Sequence, residues 1–136
     1  MKLLHTADWH LGQTFFEYDR RDEHIRFLNW LREQLRELDI DVLLIAGDIF
    51  DSPNPSAESQ RLYYTFLREV TQENPSLQII IIAGNHDRIR KSSALLSFTW
   101  APNVTFLMDE DLSSVYFEEL NTEVYGGPIM YTWFDR

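Results

Sequence analysis

An α/β fold built on a parallel sheet is the class this sequence predicts, and two observations predict it. Three short apolar runs, at residues 2–6, 41–45 and 77–82, are separated by two stretches with helical periodicity. Each apolar run then breaks into a polar loop: Ala7-Asp8-Trp9-His10-Leu11-Gly12, Ala46-Gly47-Asp48-Ile49-Phe50-Asp51 and Ala83-Gly84-Asn85-His86-Asp87. In a β-loop-α-β-loop-α-β order, right-handed crossovers make the strands parallel, so the three loops lie along one edge of one sheet. Open α/β sheets place their chemistry at that edge.

In chain order, residues 2–6 read as a short buried strand and residues 7–12 as the loop after it. Residues 20–38 are predicted helical, with Asp19 as N-cap and Leu28, Leu31, Leu35 and Leu38 along one face. His24 falls on that same stripe beside Ile25 and Phe27, which reads as a packed or partner-facing histidine rather than a ligand. Residues 41–45 form the second strand, and Ser52-Pro53-Asn54-Pro55 can continue neither helix nor sheet. Ser56 caps a second helix to about residue 72, with Leu62, Tyr63, Phe66, Leu67 and Val70 on one face. Asn74-Pro75-Ser76 closes it before the third strand. Beyond Asp87 the pattern suggests a short helix at 92–100 and a strand at 104–107. Antiparallel strands are expected around Val115-Tyr116-Phe117 and Glu123-Val124-Tyr125. The aromatic-rich final stretch has no closing element, as expected of the N-terminal portion of a longer domain, with no second domain within residues 1–136.

Bulk composition narrows the chemistry. With 136 residues, 44% of them hydrophobic, the chain can bury one sizeable core. The absence of cysteine excludes disulfides and thiolate metal sites, leaving His, Asp, Glu and Asn as metal ligands, and fits a cytoplasmic protein. No apolar run has the length of a membrane span, and Met1-Lys2-Leu3-Leu4 leads directly into a strand, so neither membrane segment nor leader is expected. A net charge of −10 opposes nucleic-acid binding, yet carboxylates gathered around divalent cations offset part of it.

Each loop has an ordinary reading beside a chemical one. Asp8-x-His10 offers a carboxylate and an imidazole to one ion, although an Asp after a strand often only closes a turn. In Gly47-Asp48-x-x-Asp51, glycine lets the backbone approach a ligand and the Asp48 carboxylate can bridge two cations. Its alternative is an Asx-turn with a solvated acid. Gly84-Asn85-His86-Asp87 is the most specific of the three. An Asn carbonyl is a hard neutral ligand for ions such as Mn²⁺ or Mg²⁺. His86 can meet a phosphate or a leaving oxygen while Asp87 fixes its tautomer. The competing reading is a polar turn after a core strand.

In this order and at these intervals, the three strings resemble the first three motifs of the calcineurin-like metallophosphoesterases. The fuller strings His5-Thr6-Ala7-Asp8-Trp9-His10-Leu11-Gly12-Gln13, Ala46–Asp51 and Ala83–Asp87 are similar to its SbcD-type DNA nucleases, over residues 1–96. That resemblance implies part of a four-layer α/β/β/α sandwich. It implies two divalent ions, Mn²⁺ first and Mg²⁺ as the other candidate. Asp8 and His10 would hold the first, Asp48 would bridge the two, and Asn85 would hold the second. His86 would steady or protonate the leaving group, Asp87 would orient His86, and Asp51 would stand behind the ligands.

The implied substrate is DNA, with Arg88, Arg90 and Lys91 as phosphate contacts or simply as the solvated start of the next helix. The implied partners are an SbcC-like ATPase and a second copy of the chain, through residues 58–72 and Leu95, Leu96, Phe98 and Trp100; core packing explains the same apolar residues. The family completes its metal pair with a further His and a Gly-His-x-His motif. Here the four histidines are His5, His10, His24 and His86, so the ligand set is partial. Two alternatives stay open: a phosphoesterase acting on nucleotides or phosphoproteins, and an inactive truncated scaffold.

Overall fold

The computed structural model describes residues 1–82, 101–107 and 112–127. Four parallel strands form the main sheet: β1 (Leu3–Thr6), β4 (Val42–Ala46), β5 (Gln78–Ile82) and β6 (Val104–Leu107), in the order β1-β4-β5-β6. Register runs Leu3 to Val42, Val42 to Gln78 and Ile79 to Val104. The predicted parallel order of the first three strands is therefore observed, and β6 extends it. The expected helix at residues 92–100 lies outside the described residues.

Among the described residues two α-helices connect the strands, α1 (Arg21–Glu37) and α2 (Ala57–Glu73). Strand alternation sends Leu43, Ile45, Ile79 and Ile81 into one core with Leu28, Leu31 and Leu35 of α1 and Tyr63, Phe66, Leu67 and Val70 of α2. The opposite face carries a smaller cluster of Val42, Ile80 and Leu107. A hairpin of β7 (Ser113–Phe117) and β8 (Thr122–Gly126) covers it with Val115, Phe117 and Val124. Its strands are antiparallel, with Val115 opposite Val124. Helices, sheet and hairpin thus form three successive layers, an α/β arrangement with a second sheet begun beneath the first.

Two expectations need correction, and one element was not expected. β1 is not buried: Leu3 and His5 share the face of their partners Val42 and Leu44 but stand on the edge strand, outside the apolar cluster that the hairpin covers. The N-cap of α1 is Arg20, with no side-chain cap; Asp19 instead accepts from the Arg21 N–H at 2.9 Å. Between the first loop and α1 stands an unforeseen hairpin, β2 (Thr14–Phe15) and β3 (Tyr18–Asp19). Its two-residue turn, Phe16 and Glu17, is left-handed at both positions, the geometry that matches strand twist. On α2, by contrast, Ser56 caps as expected, accepting from the Ser59 N–H at 3.1 Å.

Candidate metal centre

The first two polar loops meet at the C-terminal ends of β1 and β4. Because those strands are parallel neighbours, their continuations run side by side and keep hydrogen-bonding after the strands end. Asp8 N–H donates to Gly47 O at 3.2 Å, His10 N–H to Asp48 O at 2.9 Å and Leu11 N–H to Ile49 O at 2.8 Å. Asp51 N–H closes the ladder on Leu11 O at 3.1 Å. Leu11 and Phe50 form an isolated parallel bridge, and both are buried.

The ladder coexists with unusual backbone. Asp8, His10 and Asp48 all have positive φ, at 54°, 47° and 49°. Each such residue costs about 1–3 kcal/mol unless its surroundings hold it, and Asp and His tolerate this region better than most. Here the surroundings do hold it, since each strained residue sits beside an apolar neighbour locked into the core: Trp9, Leu11 and Ile49. Trp9 lies edge-on to Phe27 and Phe66 and donates its indole N–H to Thr6 Oγ1 at 2.9 Å.

The outcome is convergence. One oxygen from Asp8, one ring nitrogen from His10 and one oxygen from Asp48 lie within 4.8 Å of one another. Oxygens and imidazole nitrogen form a donor set for a hard or borderline divalent ion. Asp51 Oδ1 stands 3.2 Å from His10 Nδ1, while His10 Nε2 is 3.8 Å from Asp8 Oδ1. Asp51 therefore lies behind the imidazole, on the side away from Asp8. Asn85, His86, Asp87, Arg88, Arg90 and Lys91 lie outside the described residues.

Sequence reasoning missed what orders these loops: the ladder between them and the left-handed backbone at three acidic or imidazole positions. A faint signal existed in Leu11 and Ile49-Phe50, apolar residues interleaved with polar ones where an ordinary solvated loop has none. His24 is buried on α1, and its imidazole pKa is lowered, first by burial and then by Arg20.

A family model described as calcineurin-like phosphoesterase matches residues 1–135, and the chain belongs to that family. Among its relatives the chain is similar to SbcD of the nuclease SbcCD from Rhodobacter capsulatus, 49% identical over 94 residues, 69% of this chain and 23% of that protein. The SbcD of Escherichia coli K12 is 39% identical over 89 residues, 65% of this chain and 22% of that one. The Bacillus subtilis counterpart is 38% identical over 99 residues, 73% of this chain and 25% of that one. The chain thus spans about a quarter or less of the length of these relatives.

Proposed function

We propose that the protein to which this chain belongs hydrolyses DNA phosphodiester bonds at a two-metal site, and that residues 1–87 supply that site's first half. The observation that carries the reading is the convergence of Asp8, His10 and Asp48 within 4.8 Å at the C-terminal edge of a parallel sheet. The relatives named as parts of a nuclease support the choice of substrate.

Asp8 and His10 would hold one ion in this reading, Asp48 would span to a second, and Asn85, in the sequence that follows β5, would hold the second. Asp51 accepts the Nδ1 proton of His10, which sets the tautomer and leaves Nε2 as the ligand atom. Mn²⁺ or Mg²⁺ held there would supply Lewis acidity toward the phosphoryl oxygens and would activate a water as the nucleophile. His86 donates a proton to the leaving oxygen, Asp87 orients His86, and Arg88, Arg90 and Lys91 contact backbone phosphate. An SbcC-like ATPase, a second copy of the chain and a cytoplasmic setting belong to the same proposal. Within this chain the apolar face of α2 is mostly occupied already, since Tyr63, Phe66, Leu67 and Val70 are buried in its own core.

The net charge of −10 favours one competing substrate class, small phosphoesters or phosphoproteins, which need no basic track. The full-length protein decides between them. Manganese-dependent cutting of linear duplex DNA, without turnover of a small aryl phosphodiester, is the expected result; the reverse preference overturns the DNA assignment. His86→Ala should keep metal and lose turnover, and unchanged nuclease rates would remove its role.

A further inference from the structure

Both metal loops rest on the same stretch of α2. Phe50, in the second loop, packs edge-on against Tyr63 with ring centroids 5.5 Å apart. Trp9, between Asp8 and His10, packs nearly perpendicular to Phe66 at 5.4 Å. Gly12 completes the set: a Cβ built there would lie 2.7 Å from Ser59 Oγ and 3.7 Å from Ser59 Cβ. Ser59, Tyr63 and Phe66 follow an i, i+4, i+7 spacing, so they share one face of the helix.

Ser59 differs from the two aromatics in being a buried polar residue, 4% exposed. Its hydroxyl lies 3.0 Å from the hydroxyl of Ser56, the N-cap residue, and its N–H bonds to that same oxygen. One hydrogen bond therefore holds the Ser59 hydroxyl and a second holds its backbone at the first turn of α2. A fixed oxygen beneath a glycine sets how close the loop can come. Gly12 lies two residues beyond His10, with the buried Leu11 between them, and Leu11 is bonded to the second loop from both its N–H and its C=O. A shift at Gly12 is therefore passed to His10 and to the ladder, since no flexible residue separates them.

We propose that Ser59 is a positioning residue for the metal ligands, acting through its contact with Gly12 to set the approach of Asp8 and His10 to Asp48. The proposal rests on the metal reading above. It predicts that Gly12 and Ser59 are energetically coupled in metal binding, although neither belongs to the ligand set.

A double-mutant cycle in the full-length protein tests it, read by Mn²⁺ affinity in titration calorimetry. Gly12→Ala should weaken Mn²⁺ binding about tenfold, the scale of lost support behind a ligand. Removing the hydroxyl in Gly12→Ala/Ser59→Ala leaves the new methyl only an ordinary contact, and affinity should return to within about threefold of Ser59→Ala alone. Backbone strain at Gly12, where φ is +93°, is the same in the single and the double variant, so strain alone gives no recovery. Equal weakness in those two variants overturns the proposal. If Gly12→Ala does not fold, recovery of a folded, Mn²⁺-binding double variant supports the contact, and failure to recover overturns it. If the wild type binds no Mn²⁺, the metal reading fails separately. Amide exchange at Leu11 and Asp51 without metal then decides, being faster in Gly12→Ala and slowed again in the double variant if the contact positions the loops.

Discussion

The loop after β1 and the loop after β4 solve the same problem in different surroundings. Both turn an Asp into left-handed backbone directly beyond a strand, and both alternate polar residues with buried ones. The loop after β1 extends from an edge strand, and the Asp8 side chain is 70% exposed. The loop after β4 extends from an inner strand, with β1 on one side and β5 on the other, and Asp48 is half-buried. A ligand at the end of an inner strand has a neighbouring strand end on each side, whereas one at an edge has only one. Under the proposed two-metal reading, position in the sheet, more than residue type, separates the carboxylate assigned to two ions from the one assigned to a single ion.

Removing the two carboxylates in turn breaks that comparison most strongly. Asp48→Ala should abolish binding of both ions, a loss above about 100-fold and beyond what supporting residues contribute. Asp8→Ala should spare the second ion. Mn²⁺ titrations of the full-length variants measure this, and a normal two-site titration for Asp48→Ala removes its bridging assignment. Next in size are the anchors. Phe50→Ala should cost about 3–5 kcal/mol in urea unfolding, the usual penalty for truncating a fully buried aromatic. Because the ladder joins the loops, amide exchange at Leu11, in the other loop, should quicken as well. Protection confined to its wild-type value there would show that the loops are ordered independently.

Asp51→Asn probes the difference on a smaller scale. It preserves shape but removes the charge facing His10 Nδ1, 3.2 Å away, and should weaken Mn²⁺ binding about tenfold with little change in stability. The same substitution at Asp39, at the far end of α1, serves as the control; an equal effect there would mean that bulk charge alone is being read.

How much of this was legible follows from what each feature depends on. Strand order and the shared edge came from apolar runs and intervening helical periods, which are local patterns with strong topological consequences. The grouping of Asp8, His10 and Asp48 followed from that order. The β2–β3 hairpin was illegible because its turn residues, Phe16 and Glu17, are not the Asn-Gly or Asp-Gly pairs that announce such turns. Exposure of β1 was illegible for another reason: the alternation of Leu3 and His5 with Leu4 and Thr6 does not say which faces of a sheet are covered. The Ser59–Gly12 contact joins residues 47 positions apart through a missing Cβ, a feature no pattern in one sequence encodes.

The smallest expected effect concerns His24, buried on α1. Burial and Arg20 lower its pKa, while Glu23, Asp19 and Asp51 pull it upward. With the folded value below the ordinary 6.5, the unfolded chain binds more protons between the two values, so stability falls as pH drops through that window and is complete above it. His24→Leu removes this proton uptake. The drop in urea midpoint from pH 7.5 to pH 5.5, measured without metal, should therefore be smaller in the variant than in the wild type. All other groups are common to both proteins, so the difference reports His24 alone. Identical drops would mean that the imidazole is solvated in the folded state. Because Asp51 also faces His10, only an enlarged drop in Asp51→Asn that shrinks once His24→Leu is added would tie His24 to the second loop.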